Sequence, residues 1–97
     1  MATVYVSIGK AGLASAAGAM PVFSGAVSSE TIASSGTAAA GSLTASGFGF
    51  VAQVYCDTAV YASTDGTASA SNGLYVPGGQ VAFIAVAPGN SVSVIDV

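Results

Sequence analysis

The sequence predicts an all-β fold: a single β-sandwich of jelly-roll or Greek-key type, with about seven or eight strands. Three observations carry this expectation. Short stretches of β-branched and aromatic residues recur along the chain, divided by Gly, Pro, Asn and Asp turn signals. No window shows a 3.6-residue apolar period with helix formers and caps. Finally, the chain is 53% hydrophobic, yet much of that is alanine, which buries little area per residue. Such side chains fill the thin space between two sheets. Ninety-seven residues make one domain, 1–97.

Residues 1–9 alternate, with Val4, Val6 and Ile8 on one face and Thr3, Tyr5 and Ser7 on the other, which is a half-buried strand. Residues 10–19 are small and punctuated by Gly12 and Gly18. They predict a flexible segment near 11–20, either one loose helical turn or an extended arm. A short strand follows at 21–24, where Pro21 suits an edge or a first position. Another covers 27–33, containing Val27, Thr31 and Ile32. Residues 34–42 are rich in Ser, Gly, Ala and Thr and read as a loop or weak edge strand.

From Phe48 to Cys56 both alternating sets are substantially apolar. This predicts a central strand covered on both faces. Residues 58–63 form the next strand, closed by the Asp65-Gly66 turn signal. Asn72-Gly73 opens a short strand at Leu74–Val76, which ends at Pro77-Gly78-Gly79. Val81–Val86 runs to the Pro88-Gly89 turn, and residues 91–96 close the fold. In both Pro-Gly turns, Pro fixes φ and the glycine after it supplies positive φ.

Charge speaks to function chiefly by exclusion. The chain has one cation, Lys10, four carboxylates, Glu30, Asp57, Asp65 and Asp96, and no His or Trp. General acid–base catalysis needs groups that titrate near neutrality, and metal chemistry needs His, Cys or clustered carboxylates. The expectation is a non-enzyme without cofactor or metal. Nucleic acid is not an expected partner, because one lysine displaces few counterions. A membrane is not expected either, since the longest apolar run, 81–87, falls far short of the ~20 residues of a spanning helix. Residues 11–20 imitate a signal peptide in outline, but their middle is Ala, Gly and Ser, a poor apolar segment for that purpose. So uncharged a surface favours life packed against other protein.

The individual motifs are modest. Gly9-Lys10-Ala11-Gly12 lacks the upstream glycine and following Ser/Thr of a phosphate loop, and Gly47-Phe48-Gly49 is followed by a strand rather than a helix. Asp57 and Asp65 flank one hairpin but are too few for a calcium cage. Cys56, the only cysteine, reads as a small buried hydrophobe. The tyrosines Tyr5, Tyr55, Tyr61 and Tyr75 suit a protein interface or a sugar platform, with a structural role on a sheet face expected for at least two of them.

The stretch from Phe50 to Val97 resembles a group of small bacteriophage virion proteins. The residues that carry the likeness are Val51-Ala52-Gln53-Val54-Tyr55-Cys56-Asp57-Thr58-Ala59-Val60-Tyr61, Thr67-Ala68-Ser69, Leu74-Tyr75-Val76-Pro77-Gly78-Gly79, Phe83-Ile84-Ala85-Val86-Ala87-Pro88-Gly89 and Val92-Ser93-Val94-Ile95. The start, Thr3-Val4-Tyr5-Val6-Ser7, is similar as well. The chain departs from the group at the hairpin tip, Asp65-Gly66-Thr67-Ala68-Ser69, which lacks a proline, and in an uncharged central strand. These departures bear on surface contacts more than on fold.

The resemblance implies a capsid decoration (cement) protein or head-fibre component. Its partner would be the major capsid protein, with self-association, for example as a trimer, an added expectation. It would be made in the host cytoplasm and reside on the outer capsid surface of the virion. The side chains expected at the contact are Val4, Tyr5, Val6, Met20, Phe23, Tyr61 and Tyr75. The alternative is a carbohydrate-binding or adhesin-like module of a fibre.

Overall fold

Strand alternation and turn chemistry divide the described residues into eight strands, β1 (Thr3–Leu13), β2 (Pro21–Ala33), β3 (Ala39–Ala40), β4 (Phe50–Cys56), β5 (Val60–Ser63), β6 (Leu74–Val76), β7 (Val81–Val86) and β8 (Ser93–Asp96). They are seen in a computed structural model that describes residues 2–13 and 21–97, with side chains described for 2–10 and 27–97. The predicted segment at 11–20 lies largely outside the described residues; its first part, through Leu13, extends β1.

The strands form two antiparallel sheets, ordered β2-β1-β4-β7 and β3-β8-β5-β6. The pairs β5–β6, β4–β7, β3–β8 and β2–β1 are all hydrogen-bonded neighbours. They nest like successive turns of one rolled-up hairpin, which is jelly-roll winding. The outermost return strand is β1, supplied by the start of the chain rather than its end.

The inner faces meet in a core of small side chains. Val4, Val6 and Ile8 of β1, Phe50, Ala52, Val54 and Cys56 of β4, Val60, Ala62, Val76 and Val94 from the other sheet, and Val92 just before β8 are all buried. Valine dominates because sheets about 10 Å apart leave little depth for larger groups. Cys56 is among them, free and buried, and burial raises its thiol pKa. Its Sγ donates a long hydrogen bond to the Val76 carbonyl oxygen at 3.6 Å, and the side chain packs among the core valines.

Several expectations are corrected. The two short strands expected at 21–24 and 27–33 are one strand, β2. Its register against β1 slips twice, between Ile8 and Lys10 and between Lys10 and Ala11. Each slip places an extra residue on β2. A bulge of this kind shifts the phase of alternation, so the sequence reads as two segments. The long strand expected from Phe48 begins at Phe50, and Phe48 sits in the preceding turn, 86% exposed. Only one face of β4 is covered: Val51 and Gln53 are half-buried and Tyr55 is exposed on the other. In the first Pro-Gly turn, the positive φ falls on Gly79 rather than Gly78. The last strand is shorter than expected, and Ser93 is buried alongside Val92 and Val94.

Candidate functional site

Three of the four carboxylates serve the fold. Glu30, on β2, accepts hydrogen bonds from the Ser42 and Leu43 amides and the Ser42 hydroxyl, at 3.0–3.1 Å. This pins the segment after β3, which passes so close that a Cβ on Gly41 would lie 2.1 Å from Glu30 Oε2. Asp57 Oδ1 accepts from the Thr3 amide at 2.9 Å and fixes the start of β1. Asp96, ending β8, accepts from the hydroxyl of Ser34. That hydrogen bond holds the Asp96 carboxyl below the ordinary carboxylate range. Ser34 is fully buried and its hydroxyl also accepts from the Ala2 amide at 2.8 Å. The start of β1, the end of β2 and the end of β8 are thus tied at one end of the sandwich, here called the closed end.

The outer faces of the two sheets differ. On the β3-β8-β5-β6 sheet, Tyr61 and Tyr75 pair edge-to-face, with ring centroids 5.8 Å apart, next to Ile95. Segment 64–73 folds over the rest of that face. The Ala68 amide donates to Ser93 Oγ at 3.0 Å and the Asp65 amide to Ser63 Oγ at 3.1 Å. Both serines are consequently buried. A Cβ on Gly73 would lie 2.7 Å from both the Ser69 carbonyl oxygen and Tyr61 Cβ, so only glycine lets this segment lie so close.

The outer face of the β2-β1-β4-β7 sheet is open. Its cross-strand rows are Thr31–Tyr5–Tyr55–Val81, Ser29–Ser7–Gln53–Phe83 and Gly9–Val51–Ala85. No charged side chain stands in these rows. Tyr5 and Tyr55 are tilted against each other at 6.0 Å. Tyr5, Val81 and Phe83 are each about half exposed and Tyr55 somewhat less. The apolar end of the rows lies on β7, an edge strand with neither charge nor proline. Thr64 Oγ1 donates to the Ala85 carbonyl oxygen at 2.8 Å and caps one end of β7.

A third feature is a cleft at the end of the sandwich opposite Ser34, the open end. It measures about 620 Å³ and runs between Gly49, Phe50 and Val51 on one side, Thr64 and Asp65 on another, and Ala85–Ala87 and Asn90 on a third. Thr64 and Asn90 also border a neighbouring hollow of about 260 Å³, lined by Thr67, Ser91 and Ser93 among others.

The expected contact residues divide among these places. Val4 and Val6 are core residues, 0% and 1% exposed, and are withdrawn as surface contacts: they occupy the inward phase of β1. Tyr5, between them, is exposed as expected. Tyr61 and Tyr75 lie on the opposite sheet from Tyr5 and so do not belong to one surface with it. Met20 lies outside the described residues; Phe23 belongs to β2, but its side chain is outside what is described. Sequence reasoning missed Val81 and Phe83 as surface residues, and it offered Tyr55 both as one of four interface or sugar-platform tyrosines and as part of a strand covered on both faces. The signal for Tyr55 is the apolar second phase of β4. Asp57 and Asp65 have separate surroundings, and among the described residues no three of Cys, Asp and Glu gather as metal ligands. In comparisons with family models, curated proteins and solved structures, nothing matches this chain.

Proposed function

We propose that this protein is a non-catalytic structural component of a virion that decorates the outer surface of a capsid and stabilises the shell. The observation that carries the proposal is the uncharged Tyr5–Tyr55–Val81–Phe83 face, which would dock on the major capsid protein. The likeness of residues 50–97 to small phage virion proteins supports the same reading.

The energetics set the shape of the contact. Covering the exposed half of each of these four side chains contributes roughly 1 kcal/mol apiece. That total only matches the lower end of the ~4–15 kcal/mol cost of association. The contact must therefore extend beyond the four side chains, and the β7 edge offers backbone groups for it. A protein that binds the assembled shell but not its separated subunits stabilises the shell by mass action. At a free concentration of 100 Kd this amounts to about 2.7 kcal/mol per site, summed over many copies.

The test is to heat particles prepared with and without the protein. The decorated particles should release their genome at a higher temperature. Equal release temperatures would leave the protein as a passive surface component and reject the stabilising role.

A further inference from the structure

Asp65 is the one carboxylate that the fold does not employ. Glu30, Asp57 and Asp96 each hold backbone or hydroxyl groups, whereas the Asp65 side chain has no partner among the described residues. It lines the open-end cleft together with Asn90, whose side-chain amide is equally unpartnered. The hydroxyls of Thr67 and Ser91, in the adjoining hollow, are also free of protein hydrogen bonds. The facing wall is apolar: Phe50, Val51, Ala85, Val86 and Ala87. Gly49 borders the cleft at the turn before β4, where its positive φ (79°) reverses the chain.

We infer that this cleft binds a neutral saccharide. A pyranose presents C–H groups on its ring faces and hydroxyls around its rim, and the cleft offers an apolar wall opposite a polar one. A carboxylate accepts charge-assisted hydrogen bonds from sugar hydroxyls, an amide both donates and accepts, and Ser and Thr hydroxyls do the same. The volume falls in the ~300–1,000 Å³ range of small-ligand sites. Charge selects the ligand class. Asp65 opposes an anion at the cleft, and the chain's single cation cannot form a cluster for phosphate or sulfate. One carboxylate is too few for a calcium site. The cleft shares Val51 and Ala85 with the last row of the open sheet face, but its polar side chains, Asp65 and Asn90, stand in turns at the end of the sandwich and outside the Tyr5–Tyr55–Val81–Phe83 rows.

The test is an amide chemical-shift titration of the intact protein with D-glucose, D-galactose and N-acetyl-D-glucosamine, separately, each to about 100 mM, which reaches millimolar dissociation constants. At least one sugar should shift amides within 47–51, 64–67 and 85–91, leaving those of Tyr5 and Tyr61 unmoved. Asp65→Ala and Asn90→Ala remove cleft side chains that make no hydrogen bond within the described residues, so both variants should melt like the parent, and each should weaken binding roughly tenfold. Absence of shifts with all three sugars would overturn the inference. So would shifts confined to the Tyr5–Phe83 face, binding unchanged in both variants, or the same shifts produced by calcium chloride alone.

Discussion

The two ends of the sandwich use the same residue types for opposite purposes. At the closed end a serine and two aspartates, Ser34, Asp57 and Asp96, are spent on backbone amides and on each other. At the open end the side chains of Asp65 and Asn90 line a cleft and those of Thr67 and Ser91 the neighbouring hollow, and none of these four side chains has a hydrogen-bond partner among the described residues. With so few charges in the chain, three of the four carboxylates can be traced to a task in the fold and Asp65 cannot. The difference teaches that polar side chains in this fold are structural where a chain segment is anchored, and that the same residue types at the open end are not used to hold the chain.

The comparison is sharpened most by two phenylalanines separated by one residue. Phe50 is buried at 9% exposure and Phe48 is 86% exposed. Phe50→Ala is expected to cost about 3–5 kcal/mol in denaturant melts. Phe48→Ala should stay within about 0.5 kcal/mol. A loss below about 1 kcal/mol for Phe50→Ala would show that the start of β4 is misplaced.

Next in size is the close approach of segment 64–73 to the second sheet. Gly73→Ala should cost about 1–3 kcal/mol, because backbone and the base of Tyr61 must yield to the added methyl. A neutral result would mean that the segment does not lie on that face, which would then be as free as the first.

The closed end supplies a pH test. Ser34→Ala should cost about 1–3 kcal/mol near pH 7, since it takes the hydroxyl partner from the buried Ala2 amide; it also removes one hydrogen bond from the Asp96 carboxylate. Asp96 has a folded-state pKa below its unfolded value. Its contribution is therefore complete above the unfolded value of about 3.9 and is lost as pH falls through the lower, folded one. The parent should lose more stability than Ser34→Ala on acidification from about pH 5 to about pH 2. Equal losses would remove Ser34 as the cause. The smallest effect belongs to the open end: Asn90→Ala, with no side-chain bond to lose, should move the midpoint by less than the equivalent of about 0.5 kcal/mol.

Most of the strands were legible because alternation and turn residues agree. Val4, Val6 and Ile8 were placed on one face, and they are buried together. The β2 bulges were not legible, since a phase slip looks like a gap between strands. The docking face was half legible. Tyr55 and Val51 were seen as an apolar phase of β4, but sequence does not distinguish a face covered by its own chain from one left open. Val4 and Val6 were offered as contacts by their chemistry, although their own alternation marked them as core. The open-end cleft was not legible, because Gly49, Asp65 and Asn90 come from three separate turns that only the winding of the sheets assembles.

The central claim, docking of an uncharged sheet face on an assembled shell, is tested most directly by a binding isotherm on purified, undecorated shells. It should compare the parent with Phe83→Asp at low and high salt. Phe83 is about half exposed, so the variant should still fold, which its melting curve checks. The parent should bind with an affinity that changes little with salt, because few ion pairs contribute. Phe83→Asp should bind at least roughly tenfold more weakly, the scale expected when a charge replaces an apolar contact at a desolvated interface. No binding of the parent to shells, or equal binding by the two proteins, would contradict the account.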